Sequence, residues 1–306
     1  MGRILIQRVI DSAVVLWLAS IVIFLLLRVL PGDPAQLLLG DIATPQAVAA
    51  KRHELGLDRS LPEQYLIFVE SALRGDLGQS IRAQVPSVPY VLSRFPATLL
   101  LAGSSVGIAV LVGIPIGVLS ATHRYSAAST VATGLAILAQ STPNYWLGLV
   151  LITVFAVALH WLPTSGYGTV QNLILPSVTL AFFLLGLIVR ITRTEVLDVL
   201  GQDYVRTARA KGLPGAIVVW RHVLRNALIA VLTVIGLQVG ALLGGAVITE
   251  TVFAWPGLGY LTIQAVYQRD YPVVQTAVLL SVLIFVVINA FMDLLYVVVD
   301  PRVRYD

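Results

Sequence analysis

The sequence predicts an all-α, polytopic membrane protein with six transmembrane helices, and two observations carry that reading. Of 306 residues, 58% are hydrophobic and 12% charged, with a mean hydropathy of +0.88. One soluble core cannot bury so much apolar surface, so the bilayer must be the solvent. The apolar residues also gather into six runs, each near the roughly 20 residues that cross about 30 Å of hydrocarbon.

The first run, Val9–Leu30, has Asp11 and Arg28 near its ends, where charged side chains reach the interface. Met1–Arg8 is short and basic like the start of a signal peptide, but no A-x-A-like site precedes Pro31, so residues 1–30 read as an uncleaved N-terminal transmembrane helix. Residues 31–96 form an extracytoplasmic segment. Leu55, Leu57, Tyr65, Leu66, Phe68, Val69 and Leu73 give it an apolar periodicity, so it is a small folded module or lid, and Pro62–Leu73 reads as an amphipathic helix ended by Gly75.

Residues 97–300 hold the other five spans. The second is Ala97–Ser120. The third lies within Ser126–His160, too long for one upright helix, and Pro143 breaks or kinks it. The fourth, fifth and sixth are Leu173–Thr192, Asn226–Ile248 and Val274–Val298, followed by the tail 301–306. In ETVFAWPGLGYL, Glu250–Leu261, Trp255 and Tyr260 suit an interfacial belt while Pro256, Gly257 and Gly259 demand a turn.

Orientation follows from Lys and Arg in the short loops. With both termini inside, the inner segments hold Arg3, Arg8, Arg124, seven basic residues from Arg190 to Arg225, Arg302 and Arg304; the outer short loops hold only Arg269. Both termini are therefore cytoplasmic. The modest net charge of +4 points to this membrane topology before nucleic acid, so membrane lipid and no nucleic acid are the expected surroundings.

Several chemistries are excluded. There is no cysteine, and no HExxH, EF-hand loop or His/Cys cluster, hence no metal site. Gly103–Gly107, GSSVG, satisfies the GxSxG elbow of serine hydrolases, but Ser105 sits in an apolar span without the strand that an elbow needs, so it reads as packing. Gly113–Gly117, Gly236–Gly240 and Gly240–Gly244 are GxxxG spacings that let helix backbones approach closely. Gln140, Ser141, Thr142, Asn144, Gln238, Thr249, Asn289 and Asp293 are the polar residues inside spans. They serve either interhelical hydrogen bonds or a transport path, with Arg190 or Arg193 as the expected partner of Asp293.

The longest polar stretch of the second half is Asp203–Asn226, within a cytoplasmic loop 195–225. Asp203 reads as an N-cap, Gly212 as the left-handed residue after a two-turn helix, and Pro214 as its stop. Tyr204, Ala208 and Lys211 share a stripe, and Ala208 and Ala210 alternate with Arg206, Arg209 and Lys211. A surface of small residues ringed by cations admits another protein closely; equally, basic residues collect in such loops for topology alone.

ARAKGL (Ala208–Leu213) with RHVLRNAL (Arg221–Leu228) resembles the cytoplasmic loop of binding-protein-dependent ABC importer permeases of the dipeptide, oligopeptide and nickel subfamily. Of the general pattern, EAA, three residues, Gly, nine residues, IxLP, only Ala208, Gly212 and Leu224 match. The subfamily version fits much better. LPGDP (Leu30–Pro34), GDLGQS (Gly75–Ser80), ETVFAWPGLGYL and DPRVRYD (Asp300–Asp306) are also similar to that branch, in order.

The resemblance implies a type I ABC importer transmembrane domain, with the loop coupled to an ATPase through Asp203, Tyr204, Arg206, Ala208, Arg209, Ala210, Lys211, Gly212 and Leu213. It further implies a second homologous permease chain, two ABC ATPase subunits that bind ATP and Mg, and an extracytoplasmic substrate-binding protein, with short peptides as cargo and nickel or glutathione as alternatives. The chain itself has no GxxxxGK[ST] loop for ATP and is not expected to be an enzyme. The competing class, an ion-coupled secondary carrier, needs intramembrane carboxylates, and Asp293 is the only one read well inside a span.

Overall fold

The computed structural model describes residues 2–29, 34–39, 43–54 and 56–299, and the regular elements among them are helices. In chain order they are α1 (Gly2–Val29), α2 (Pro34–Leu39), α3 (Pro45–Glu54), α4 (Leu61–Leu73), α5 (Ser87–Leu92), α6 (Phe95–Thr122) and α7 (Ala127–Ser141). Then follow α8 (Asn144–Leu151), a π-helical turn Ile152–Ala158, α9 (Val170–Leu200), α10 (Asp203–Ala210) and α11 (Gly215–Ile217). A second π turn, Val218–Val223, precedes α12 (Leu224–Val252), α13 (Leu258–Tyr267) and α14 (Tyr271–Val299).

Among the described residues four helical stretches are long and apolar enough to cross a bilayer: Ser87–Thr122, Val170–Leu200, Gly215–Gln238 and Tyr271–Phe291. α7 with α8 and its π turn makes a fifth if counted as one span, and α1 contributes the shorter apolar stretch Ile10–Leu26. The break falls at Pro143, where the sequence predicts a break or a kink, and it is a bend of 108°. Pro143 removes an N–H and excludes the preceding residue from helical geometry; Thr142 accordingly adopts ψ 123°. α9 runs eight residues beyond the predicted Thr192, because Arg193, Glu195 and Asp198 end the apolar run without ending the helix. Leu30–Asp33 of the LPGDP motif, Leu55 and DPRVRYD lie outside the described residues, as does the side chain of Asp293 in α14.

The chain divides into two compact units, 97–259 with 288–306 and 1–96 with 260–287. In the first, α9 is the central helix. Gly113 and Gly117 of α6 lie against it so closely that a Cβ would stand 2.9 Å from Ile188 Cγ2 and 2.6 Å from Thr192 Cβ. Gly186 of α9 lies in turn against α7, where a Cβ would stand 2.5 Å from the Ala136 carbonyl oxygen. The Gly113–Gly117 spacing is thus a packing seam. Gly244 of α12, by contrast, faces open space within this chain. Leu101, Ala109, Leu180, Leu184, Ile188, Val231 and Ile235 fill the core between α6, α9 and α12.

In the second unit the GDLGQS stretch is held by one carboxylate. Gly78 (φ +87°) turns the chain, Gln79 and Pro86 form an antiparallel bridge, and Ser80 N–H donates to Val85 O. Asp270, 3% exposed, accepts from the Ser80 hydroxyl at 2.5 Å and from the backbone N–H of Ile81 and Arg82 at 3.1 and 3.2 Å. Hydrogen bonds to a charged group contribute about 1.5–3 kcal/mol each, and orphaning buried donors costs similarly. Asp270→Ala is therefore expected to loosen this loop, read as faster amide exchange at Ile81 and Arg82. Asp270→Asn, which keeps the acceptor geometry at one oxygen, should show a smaller effect.

Candidate functional site

The loop predicted from sequence is a short helix held at both ends by hydrogen bonds. Gln202, in extended conformation, is the N-cap of α10; Asp203, predicted in that place, is instead the first helical residue, where its carboxylate faces the positive end of the helix. The displacement follows from Gly201 ending α9 one residue earlier, which leaves Gln202 as the single extended residue between two helices. Arg206 lies 3.5 Å from Asp203, an exposed pair of little energetic weight.

At the other end the prediction holds. Gly212 has φ +75°, its N–H donates to Arg209 O at 2.9 Å, and Leu213 N–H reaches Ala208 O at 3.4 Å. These two bonds form a Schellman motif, which needs a left-handed residue at Gly212. Pro214 then caps α11.

α10 is anchored by Val205, which the sequence reading passed over. Val205 is fully buried among Val118, Ala121, Val196, Val218, Val223, Leu224 and Ala227, a cluster drawn from α6, α9, the second π turn and α12. Burial of such a side chain stabilises by about 1.5–3 kcal/mol. Ala208, one turn on, packs half-buried against the same cluster, so Val205 and Ala208 form the inward side, while Tyr204 and Lys211, which share a stripe with Ala208, are exposed. Asn226 clamps the two ends: its Nδ2 donates to the Tyr204 hydroxyl at 2.9 Å and to His222 O at 2.8 Å. Outward stand Arg206, Arg209, Ala210, Lys211, Gly212 and Leu213, with Ile217 and Trp220 also exposed.

Of the described polar residues read inside the spans, three bond within their own helix. Gln140, Ser141 and Thr142 turn back on their own helix, bonding the carbonyls of Ala136, Ile137 and Leu138 at 3.1, 3.1 and 2.7 Å. They crowd at the α7–α8 break, with half-buried Asn144 opening α8. Gln238 in α12 and Asn289 in α14 are half-buried. Ser105 is fully buried in mid-helix and donates to Leu101 O at 2.7 Å, so GSSVG is no nucleophile elbow. Ser105→Ala should leave transport unchanged and alter thermal stability by no more than about 1 kcal/mol; a folded but inactive variant would contradict this.

One buried carboxylate escaped the sequence reading because it was assigned to the turn after the fifth span. Glu250 lies inside α12, fully buried, and accepts from the Thr98 hydroxyl at 2.7 Å; Thr98 in turn accepts from Leu258 N–H at 2.8 Å. Trp255 is not interfacial. It is 1% exposed, donates its indole N–H to Ala97 O at 2.8 Å and meets Tyr167 edge-on. The residue with left-handed backbone in this turn is Ala254, φ 48°, while Gly257 and Gly259 are required by proximity: a Cβ on either would overlap Glu250 or Val247.

Residues 113–305 match the family described as binding-protein-dependent transport system inner membrane component, and residues 1–102 match its N-terminal counterpart. The glutathione transport system permease protein GsiC of Escherichia coli (strain K12) is 42% identical over 300 residues, 98% of each chain. The protein of the same name from Pectobacterium atrosepticum is 43% identical over the same extent. Among solved structures, an inward-facing MetNI methionine ABC transporter chain aligns with TM-score 0.57 at 21% identity, covering 69% of this chain and 96% of that one. An amino acid ABC transporter chain aligns at 0.54 and 18%, covering 68% and 93%.

Proposed function

Since the chain belongs to the family of binding-protein-dependent transport system inner membrane components, we propose that it forms half of the translocation pathway of an ATP-driven importer of short peptides. It is a multi-pass membrane permease subunit of an ABC importer. The observation that supports the cargo is identity above 40% along nearly the whole chain to permeases named for glutathione, itself a tripeptide. Di- and oligopeptides with glutathione among them are the proposed substrates; nickel is the alternative.

α10 is the proposed coupling element. Arg206, Arg209 and Lys211 supply charge, and Ala210, Gly212 and Leu213 the close surface, while Asp203, Tyr204 and Ala208 hold the helix in shape. Because Val205 and the Tyr204–Asn226 bond tie α10 to the ends of α9 and α12, a displacement of α10 moves both. Each chain presents one such helix and an ATPase dimer needs two, so a second homologous permease chain completes the pathway. Two ABC ATPase subunits bind ATP and Mg, and an extracytoplasmic binding protein delivers the substrate. Both termini are then cytoplasmic, in the cell membrane. Gln140, Ser141 and Asn144 at the helix break, with Gln238, Asn289 and Asp293, are proposed to line the path.

The test is uptake by the complete complex in proteoliposomes. ATP-dependent accumulation of labelled dipeptide or glutathione supports the proposal. Uptake of nickel alone would replace the substrate, and uptake driven by an ion gradient without ATPases would move the chain to the secondary carriers.

A further inference from the structure

We propose that α4 lies on its side within the membrane, in the leaflet next to the 31–96 segment, with lipid acyl chains covering its stripe Pro62, Leu66, Val69 and Leu73. At 100° per residue those four positions fall within one narrow sector of the helix. Tyr65, Phe68 and Ala72 form a second apolar sector on one side of it, and Glu63, Glu70 and Arg74, with Ile67, lie on the other side. The apolar arc is thus continuous, yet only part of it meets protein.

The part that does sets the depth. Phe24 of α1 packs on Tyr65 and Phe68 with ring centroids 5.2 and 5.8 Å apart, and the Tyr65 hydroxyl meets Ser20 Oγ at 2.8 Å. Ser20 and Phe24 belong to the apolar stretch Ile10–Leu26. Arg28 marks the water level: its guanidinium lies over the Phe24 ring at 3.3 Å and donates to Gln64 Oε1 at 3.0 Å. Ser20 lies eight residues before Arg28, about 12 Å at 1.5 Å per residue, so Tyr65 reaches well below that level.

Of the remaining apolar sector Val69 is half-buried, while Pro62, Leu66 and Leu73 are exposed. Leu66 is 66% and Leu73 85% exposed, whereas a water-borne module would turn such residues inward. The polar side is provided for by water-level chemistry, with Arg74 bonded to Glu70 at 2.6 Å and Glu63 receiving the Ser60 N–H at 3.2 Å. This division, apolar arc down and charged side up, is that of an interfacial helix.

The chain contains no cysteine, so single cysteines can carry nitroxide labels at chosen points of the assembled transporter in lipid nanodiscs. At Leu66→Cys and Leu73→Cys, collisions with oxygen should be frequent. Collisions with a polar nickel chelate should be at least about tenfold rarer than at Glu70→Cys and Arg74→Cys, a factor equal to about 1.4 kcal/mol of exclusion. Equal nickel access at all four sites would overturn the proposal by making α4 aqueous. Exclusion of both reagents at Leu66 and Leu73 would also overturn it, showing a protein cover such as the second permease. Hydroxyl-radical footprinting of the unsubstituted chain checks the same point without mutation: protection of Leu66 and Leu73 is expected, and rapid oxidation of both rejects lipid burial.

Discussion

Gly212→Val is expected to abolish ATP-driven uptake and the stimulation of ATP hydrolysis by loaded binding protein, while the chain still inserts and assembles. A Cβ at Gly212 would meet nothing within 4 Å, so no clash is involved. The effect comes from the backbone. At φ +75° a β-branched residue is strained by about 1–3 kcal/mol, relieved only by unwinding the Schellman turn. That turn orients Leu213 and the exposed basic residues of α10, so the docked geometry would fall in population roughly tenfold to a hundredfold. Gly212→Asn, which tolerates the left-handed region, should retain most activity. Normal transport by Gly212→Val would remove α10 from the coupling role.

The second large effect is expected at Gly257. Even the methyl of Gly257→Ala would overlap the Glu250 carboxylate, and that group is fully buried and held by Thr98. Overpacking costs about 1–3 kcal/mol, and here it also threatens the bonds that Thr98 and Trp255 make. Loss of folded protein from membranes, or a fall in melting temperature of the detergent-solubilised chain, is the expected readout. A cycle with Glu250→Ser tests the cause: the shorter side chain vacates the overlapped space, so the double variant should be more stable than the sum of the single effects implies. Strict additivity would show that the contact is not responsible.

That long apolar helices exist was legible because bilayer thickness imposes a length on apolar runs, although their bounds differ from those read, as at Gly215–Gln238 against Asn226–Ile248; Gly212 was legible because a glycine two residues before a proline, after a short helix, has few other meanings. The failures have equally physical causes. Charged residues such as Arg193 and Glu195 mark where the membrane ends, which is not where α9 ends. Trp255 was placed by the usual preference of indoles for the interface, but a backbone carbonyl, Ala97 O, satisfies its N–H inside the protein just as well. Val205 is one apolar residue in a basic stretch, without periodicity to reveal that it is the anchor. Neither the 108° bend nor the π turns leave a compositional trace beyond Pro143, since both depend on what packs around them.

The Trp255–Ala97 and Leu258–Thr98 hydrogen bonds join the first residues of the 97–259 segment to its last. A stretch of chain whose ends meet is topologically a ring. Neither end of that stretch can come away without breaking both bonds, so local opening at one end is coupled to opening at the other.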